Sequence, residues 1–390
     1  MTTPPATYQF IEKQKDTPLH EVALLLGKTP SLNKEFIINQ INGIQKAANK
    51  LPEFAANKEI IYPTPLSLEQ CSSEVAAIFK SNLISGNSLL DLTGGFGVDT
   101  YFFSKRFNQI IYVEQQKSLF EIATANFNVL KANITAICSS AEIFLVTNQE
   151  QFDIIYIDPA RRNQSQKVFQ LEDCSPPVLE MLPKLFTISS TILIKTSPML
   201  DIKKAIQQLK CVERVFVLSI KNECKEVLYL LQKNTTDILE INTINISESE
   251  QHFNFNYLDE ENLSVNFSNP QNYLYEPNAS ILKAGGFKSI ANTFSLTKIA
   301  SNSHLYTSVE PISDFPGRTF KINNVLAYQA NQFKLLGITK ANVSCRNFKE
   351  NVETVRKKLK LKDGGNIFIF ATTTSENKPI LCITEKVADL

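Results

Sequence analysis

The sequence predicts an α/β protein built on a doubly wound, mainly parallel sheet, with a helical N-terminal region and a small α/β C-terminal region. Three observations predict it. Short apolar runs alternate with helix-length amphipathic segments from Ser67 to about 209, the pattern of a parallel sheet covered on both faces. The first of these runs ends in a glycine-rich turn, Asp91-Leu-Thr-Gly-Gly-Phe-Gly-Val-Asp-Thr100. The series closes on two long apolar runs separated by only a few polar residues, a gap that fits an antiparallel hairpin and is too short for another crossover helix.

Residues 1 to about 62 read as helical, with an early apolar stretch at Val22-Ala-Leu-Leu-Leu26 and with Ile37, Ile41, Ile44, Ala48 and Leu51 at helical spacing. Pro63 and Pro65 close this region. A core over 63–235 follows, opening with a helix whose Val75, Ile78, Phe79 and Leu83 share one face. Strands are predicted at 88–92, 110–114, 134–138, 152–158 and 191–195, helices near 98–106, 115–131, 141–147, 176–187 and 201–209, and the hairpin at 212–220 and 225–231. Residues 236–272 read as a connection or sheet extension around Ile238-Leu-Glu-Ile241 and Phe253-Asn-Phe-Asn-Tyr257, and a smaller mixed α/β region runs from 273 to 390.

A chain of 390 residues predicts two or more domains. Its 40 basic and 39 acidic residues give a net charge of +1, which excludes a uniformly basic polyanion binder and makes any basic surface local. That excess lies at 318–390, with 13 Lys/Arg against 6 Asp/Glu. No run of about 18 apolar residues occurs, and Met1-Thr-Thr-Pro-Pro lacks the blocks of a signal peptide, so a soluble cytoplasmic protein with no membrane partner is expected. Seven cysteines without a Cys-x-x-Cys pair and three scattered histidines predict neither a disulfide framework nor structural zinc. The sequence leaves the oligomeric state open.

Ligands of open α/β sheets bind beyond the carboxyl ends of the strands, where Gly94, Gly95 and Gly97 turn the chain and expose its backbone. Glu114 ends the second strand 23 residues after Asp91, a position from which a carboxylate can accept ribose hydroxyls. Together they point to a nucleoside. The glycines do not follow the Gly-x-Gly-x-x-Gly order that cradles a pyrophosphate. The plainer alternative is a tight turn beside a solvated strand end.

Asp158-Pro-Ala-Arg-Arg162 follows the fourth strand at the same sheet edge. Pro159 keeps the backbone extended, and Asp158 can orient a nucleophile or a cofactor; the bland alternative is a Pro-terminated strand with solvated arginines. The stretch resembles the Asp/Asn-Pro-Pro-aromatic and Asp-Pro-Pro-Arg motifs of methyltransferases acting on nucleic acids. Ala160 replaces the second proline and Arg161 the base-stacking aromatic, which counts against methylation of an exocyclic amine. The uridine C5 enzymes need a cysteine after the fifth strand, where this chain has Lys195-Thr-Ser-Pro-Met-Leu-Asp201. Lys195 there either contacts substrate or belongs to a hydrogen-bonded loop. Cys138 and Cys174 have no evident base beside them and read as structural.

With Tyr275-Glu-Pro-Asn-Ala-Ser-Ile-Leu-Lys-Ala284, these stretches resemble, over nearly the whole chain, a family of bacterial class I methyltransferases. Its members have a Rossmann-like core, a helical N-terminal region, a ferredoxin-like segment, here 273–317, and a THUMP-like domain, here 318–390. The resemblance implies S-adenosyl-L-methionine as methyl donor and RNA as substrate. Residues and resemblance together give a candidate cofactor set of Asp91, Thr93, Gly94, Gly95, Gly97, Glu114, Ser140, Ala141 and Asp158. Asp158, Pro159 and Arg161 are the candidate catalytic residues. Arg162, Lys195, Arg356, Lys357, Lys358 and Lys360 are candidates for substrate contact, the last four within a run that can neutralise phosphates or form a solvated helix face. Two other readings stay open: a nucleoside- and RNA-binding protein without turnover, and a methyltransferase acting on a protein or small molecule.

Overall fold

Among the described residues, six helices precede the first strand: Pro5–Gln14, Leu19–Gly27, Lys34–Lys50, Pro52–Ala55, Pro65–Gln70 and Glu74–Leu83. A computed structural model of the chain describes residues 5–29, 32–161, 170–235 and 239–387. These form two compact units, one of residues up to Thr196 with Lys203–Cys211 and Tyr229–Asn234, the other of Ser197–Ile202, Val212–Leu228 and the chain from Thr235 onward.

In the first unit the Asn33 side chain caps Lys34–Lys50 by accepting the Phe36 N–H at 3.1 Å, and the helix buries Ile37 and Ile41 against Ile11, Val22 and Leu26. Its far end belongs to the main core: Ala47, Leu51, Phe54 and Tyr62 pack with Phe96, Tyr101, Tyr112 and Phe127. Two amide side chains secure the segment that leaves these helices. Gln40 exchanges hydrogen bonds with the Tyr62 backbone at 2.9 and 3.1 Å, and Asn126 does the same with Ile61 at 2.8 Å each. Helix Glu74–Leu83 turns inward a face other than the expected one. Ala76, Ala77, Lys80 and Ser81 are buried, while Val75 and Ile78 are 42 and 41 % exposed.

The strands are β1 (Ser88–Asp91), β2 (Gln109–Glu114), β3 (Thr135–Cys138) and β4 (Ile154–Ile157), a two-residue antiparallel ladder of β5 (Ala160–Arg161) with β6 (Cys174–Ser175), and β7 (Thr191–Thr196). The sheet runs β3-β2-β1-β4-β7, all parallel. Helices Val98–Phe103, Lys117–Val129, Ala141–Thr147 and Val178–Ile188 lie between the strands along the chain. Every residue of β1 and β4 is buried, as a sheet covered on both faces requires. The chain lays strands outward from β1 to β3, then returns to β4 on the other side. The β1/β4 gap is therefore the topological switch point, where such sheets open a crevice.

In the second unit β8 (Val212–Ile220) and β9 (Glu223–Gln232, of which Glu223–Leu228 belong here) are neighbours joined by Lys221 and Asn222. Both connecting residues have positive φ, 52° and 60°, the conformation of a two-residue hairpin turn, so the hairpin read from the spacing forms. Strand β10 (Glu240–Ile246) lies parallel to β8, and β11 (Glu250–Asn256) antiparallel to β10. Ile238 lies outside the described residues. A further sheet has the order β13-β14-β12-β15-β18-β17-β16. Its strands are β12 (Tyr273–Pro277), β13 (Thr297–Lys298), β14 (Tyr306–Ser308), β15 (Gly317–Ala327), β16 (Asn342–Arg346), β17 (Ile367–Thr373) and β18 (Pro379–Lys386). Only β16 and β17 pair in parallel among them. Among the described residues no helix is long and apolar enough to cross a membrane.

Candidate functional site

The loop after β1 is shaped by what a side chain would strike. A Cβ on Gly94 would lie 2.0 Å from the Tyr112 ring, and Gly97 sits at φ 82° against Phe127. Both positions exclude larger residues. Gly95 differs: its φ is 56°, but only the Thr93 carbonyl, at 3.8 Å, lies within 4 Å of where a Cβ would be. Its peptide faces an open cradle. That peptide is fixed from both sides, its N–H donating to Glu114 Oε2 at 2.9 Å and its carbonyl accepting the Tyr112 hydroxyl at 2.6 Å.

Glu114, 7 % exposed, takes a second backbone donor from Gln116, to Oε1 at 2.7 Å. Each carboxylate oxygen so accepts one of these N–H groups and keeps a further lone pair. Asp91 is buried, accepting the Thr93 N–H at 3.0 Å and the Thr100 hydroxyl at 2.6 Å. Burial pushes its carboxyl up to about 7 despite these two bonds. Ser140 caps Ala141–Thr147 through the Ile143 N–H at 3.3 Å, and the Ser139 N–H donates to the Glu114 carbonyl at 3.1 Å, so the turn after β3 is tied to the end of β2.

Across the switch point, the Asp158 N–H donates to Thr93 Oγ1 at 2.6 Å, joining the loops that follow β1 and β4. Pro159 behind it is buried. The Asp158 carboxylate is paired with the Lys195 ammonium, and Lys195 Nζ is also 4.0 Å from Asp99 Oδ2. Asp99 in turn meets Lys80 Nζ at 3.3 Å and accepts the hydroxyls of Tyr156 and Ser72 at 2.7 and 2.9 Å. Lys80 also donates to Ser72 Oγ at 3.0 Å. Burial alone would raise the Asp99 carboxyl. Lys80 and Lys195, with the two hydroxyls, hold it below the ordinary carboxylate range.

The structure thus brings together Asp91, Thr93, Gly94, Gly95, Gly97, Glu114, Asp158 and Lys195 at one sheet edge, with Ser140 and Ala141 after β3. Arg161 contributes backbone pairing to Cys174, its side chain lies outside the description, and Arg162 lies outside the described residues. Arg356, Lys357, Lys358 and Lys360 belong to the second unit, on helix Val352–Leu359 and its cap. There Arg356 pairs with Asp363 and Lys358 with Glu350, while Lys357 and Lys360 are exposed. Sequence reasoning missed Lys80, Ser72, Asp99 and Tyr156 as parts of the site. The available signal was Lys80 one turn beyond Ala76 and Ala77, a small-residue face able to pack inward.

Comparison with known proteins bears on this geometry. Residues 72–214 match a family model described as conserved hypothetical protein 95, residues 273–316 one described as a ferredoxin-like domain, and residues 317–386 one described as THUMP domain-like. The crystal structure of a protein from Porphyromonas gingivalis W83, described as a putative methyltransferase, is 30 % identical, with a TM-score of 0.88 over 98 % of each chain. A Listeria monocytogenes protein described as a putative class I S-adenosylmethionine-dependent methyltransferase is 12 % identical, with a TM-score of 0.38 over 62 % of this chain and 94 % of that one. A Pyrococcus horikoshii protein described as a putative RNA methyltransferase is 17 % identical, with a TM-score of 0.33 over 49 % and 98 %. Likenesses as low as these last two carry no argument. No curated protein matches the chain.

The fold is that of a Rossmann-like methyltransferase. The chain belongs to the family of the Porphyromonas gingivalis protein, and in this chain the sheet core is followed by segments that match the ferredoxin-like and THUMP domain-like models.

Proposed function

We propose that this enzyme holds adenosylmethionine at the β1 and β2 loops and transfers its methyl group to an RNA. The observation that carries the reading is the Glu114 carboxylate, locked by the Gly95 and Gln116 N–H groups beside an open backbone cradle. The donor set fits a nucleoside. Glu114 accepts ribose hydroxyls on its remaining lone pairs, Gly95 leaves space where any other residue would place a Cβ, and Ser139–Ala141 close the neighbouring side. Bound there, adenosylmethionine supplies an electrophilic methyl group. Asp158, anchored by Thr93 and Lys195, faces the acceptor, so orientation supplies much of the rate.

Support for RNA comes from the THUMP domain-like match at 317–386 and from the 13 Lys/Arg against 6 Asp/Glu over 318–390. The test is incubation of the purified protein with methyl-labelled adenosylmethionine and total RNA from cells lacking the enzyme. Label in an RNA fraction is expected. Cofactor binding with label in no RNA would overturn the assignment of RNA as substrate.

A further inference from the structure

The Asp158 loop is backed by an arrangement that not every methyl acceptor would require. Lys80, Asp99, Lys195 and Asp158 form an alternating chain of charges, with Lys80 3.3 Å from Asp99, Asp99 4.0 Å from Lys195, and Lys195 paired to Asp158. Side-chain exposure rises along it, from 0 % at Lys80 through 11 % at Asp99 and Lys195 to 35 % at Asp158. The chain leads from the interior to the place where an acceptor would sit, and ends in an ammonium and a carboxylate side by side.

Acceptors differ in the charge they develop. A neutral nitrogen attacks with its lone pair and becomes positive before it sheds a proton, so a bare carboxylate suits it and an adjacent fixed ammonium opposes it. A hydroxyl is a poor nucleophile until its proton leaves, and negative charge grows on its oxygen, which a preorganised ammonium stabilises. A carbon acceptor of the uridine type needs a thiolate. Cys71, close enough to feel Asp99 and Lys195, donates to the Leu68 carbonyl at 3.1 Å, and burial pushes it up even with the Lys50 and Lys195 ammoniums nearby; Cys174, opposite Arg161, is buried and donates to the Gln170 carbonyl at 3.7 Å.

Resting on the RNA reading above, we propose that the methyl acceptor is a hydroxyl, which in RNA means a ribose 2′-hydroxyl. Its oxygen forms the new bond to the methyl carbon while the carbon–sulfur bond breaks and leaves its electron pair on sulfur. The hydroxyl proton passes to the Asp158 carboxylate, whose partial exposure lets it go on to solvent. Lys195 stabilises the oxygen as it loses that proton. Asp99 and Lys80 are positioning residues: they hold the Lys195 ammonium in place against Asp158.

Methylation of the 2′-oxygen blocks alkaline cleavage of the adjacent phosphodiester, so the site of the label can be read chemically. RNA labelled by the wild-type enzyme is hydrolysed in alkali and the products are separated by charge. Label in alkali-stable dinucleotides is the expected result. Label in mononucleotides would overturn the hydroxyl assignment while leaving the RNA reading intact, and label in no RNA would overturn both. Lys195→Met should slow transfer by at least about 100-fold, with Lys195→Arg recovering part of it by restoring the charge. Equal transfer by wild type and a folded Lys195→Met protein would also overturn the proposal.

Discussion

Replacing Lys80 by Met removes an ammonium that is fully buried and lies 3.3 Å from an Asp99 carboxylate itself 11 % exposed. Deleting one partner of a buried pair costs about 3–5 kcal/mol, because the remaining charge stays buried without compensation. Asp99 would keep the Tyr156 and Ser72 hydroxyls at 2.7 and 2.9 Å and Lys195 at 4.0 Å, which places the loss near the lower end, about 3 kcal/mol. Its pH dependence follows from the direction of the Asp99 shift. A carboxyl held below its ordinary value contributes stability that is present above the unfolded pKa and lost as pH falls through the folded one. The gap between wild type and Lys80→Met should therefore be full near neutrality and narrow below about pH 4. Urea titrations followed by circular dichroism, suited to a chain without tryptophan, measure both. A loss within about 1 kcal/mol at neutral pH, the range of an exposed pair, or a gap that widens toward acid would refute the reasoning.

Glu114→Ala should weaken adenosylmethionine binding by about 1.5–3 kcal/mol in calorimetric titration, roughly 10- to 150-fold, through loss of charged hydrogen-bond acceptance; equal affinity would remove Glu114 from the cofactor site. Asp91, pushed up to about 7 by burial, stabilises the fold fully below the unfolded carboxyl value and loses that contribution as pH rises through about 7. Asp91→Asn should flatten this trend in urea titrations between pH 4.5 and 8, and an unchanged slope would show that Asp91 is ionised when folded. In the second unit, neutralising Lys357 and Lys360 together should weaken RNA binding across unrelated sequences and reduce the log–log salt slope by roughly 1.5–2. Filter binding at several salt concentrations measures it, and an unchanged slope would mark the helix as a solvated face.

The parallel strands and the hairpin were legible because their signals are local: apolar runs of strand length, and a gap too short for a crossover. The Glu114 position was legible for a related reason, since a strand end at fixed spacing from a glycine loop lands beside it in any sheet of this topology. Lys80 was not. A lysine in a helix reads as solvated, and Val75 and Ile78 nearby advertise the opposite face; the Asp99 carboxylate, arriving from the helix after the glycine loop, compensates the buried Lys80 charge. The basic run at 356–360 was legible only as charge. Its charges are countable in the sequence, but the pairing of Arg356 with Asp363 and of Lys358 with Glu350 depends on how the helix cap turns back.

The most direct test of the account compares cofactor affinity and methyl transfer in wild type and Asp158→Asn. The loop after β4 is joined to the cofactor loop by the Asp158 backbone N–H to Thr93 Oγ1, which the substitution leaves in place, whereas the carboxylate paired with Lys195 is lost. The account predicts cofactor affinity within about threefold of wild type, less than 1 kcal/mol, with transfer to RNA reduced by at least about 100-fold. Undiminished transfer by Asp158→Asn would contradict it.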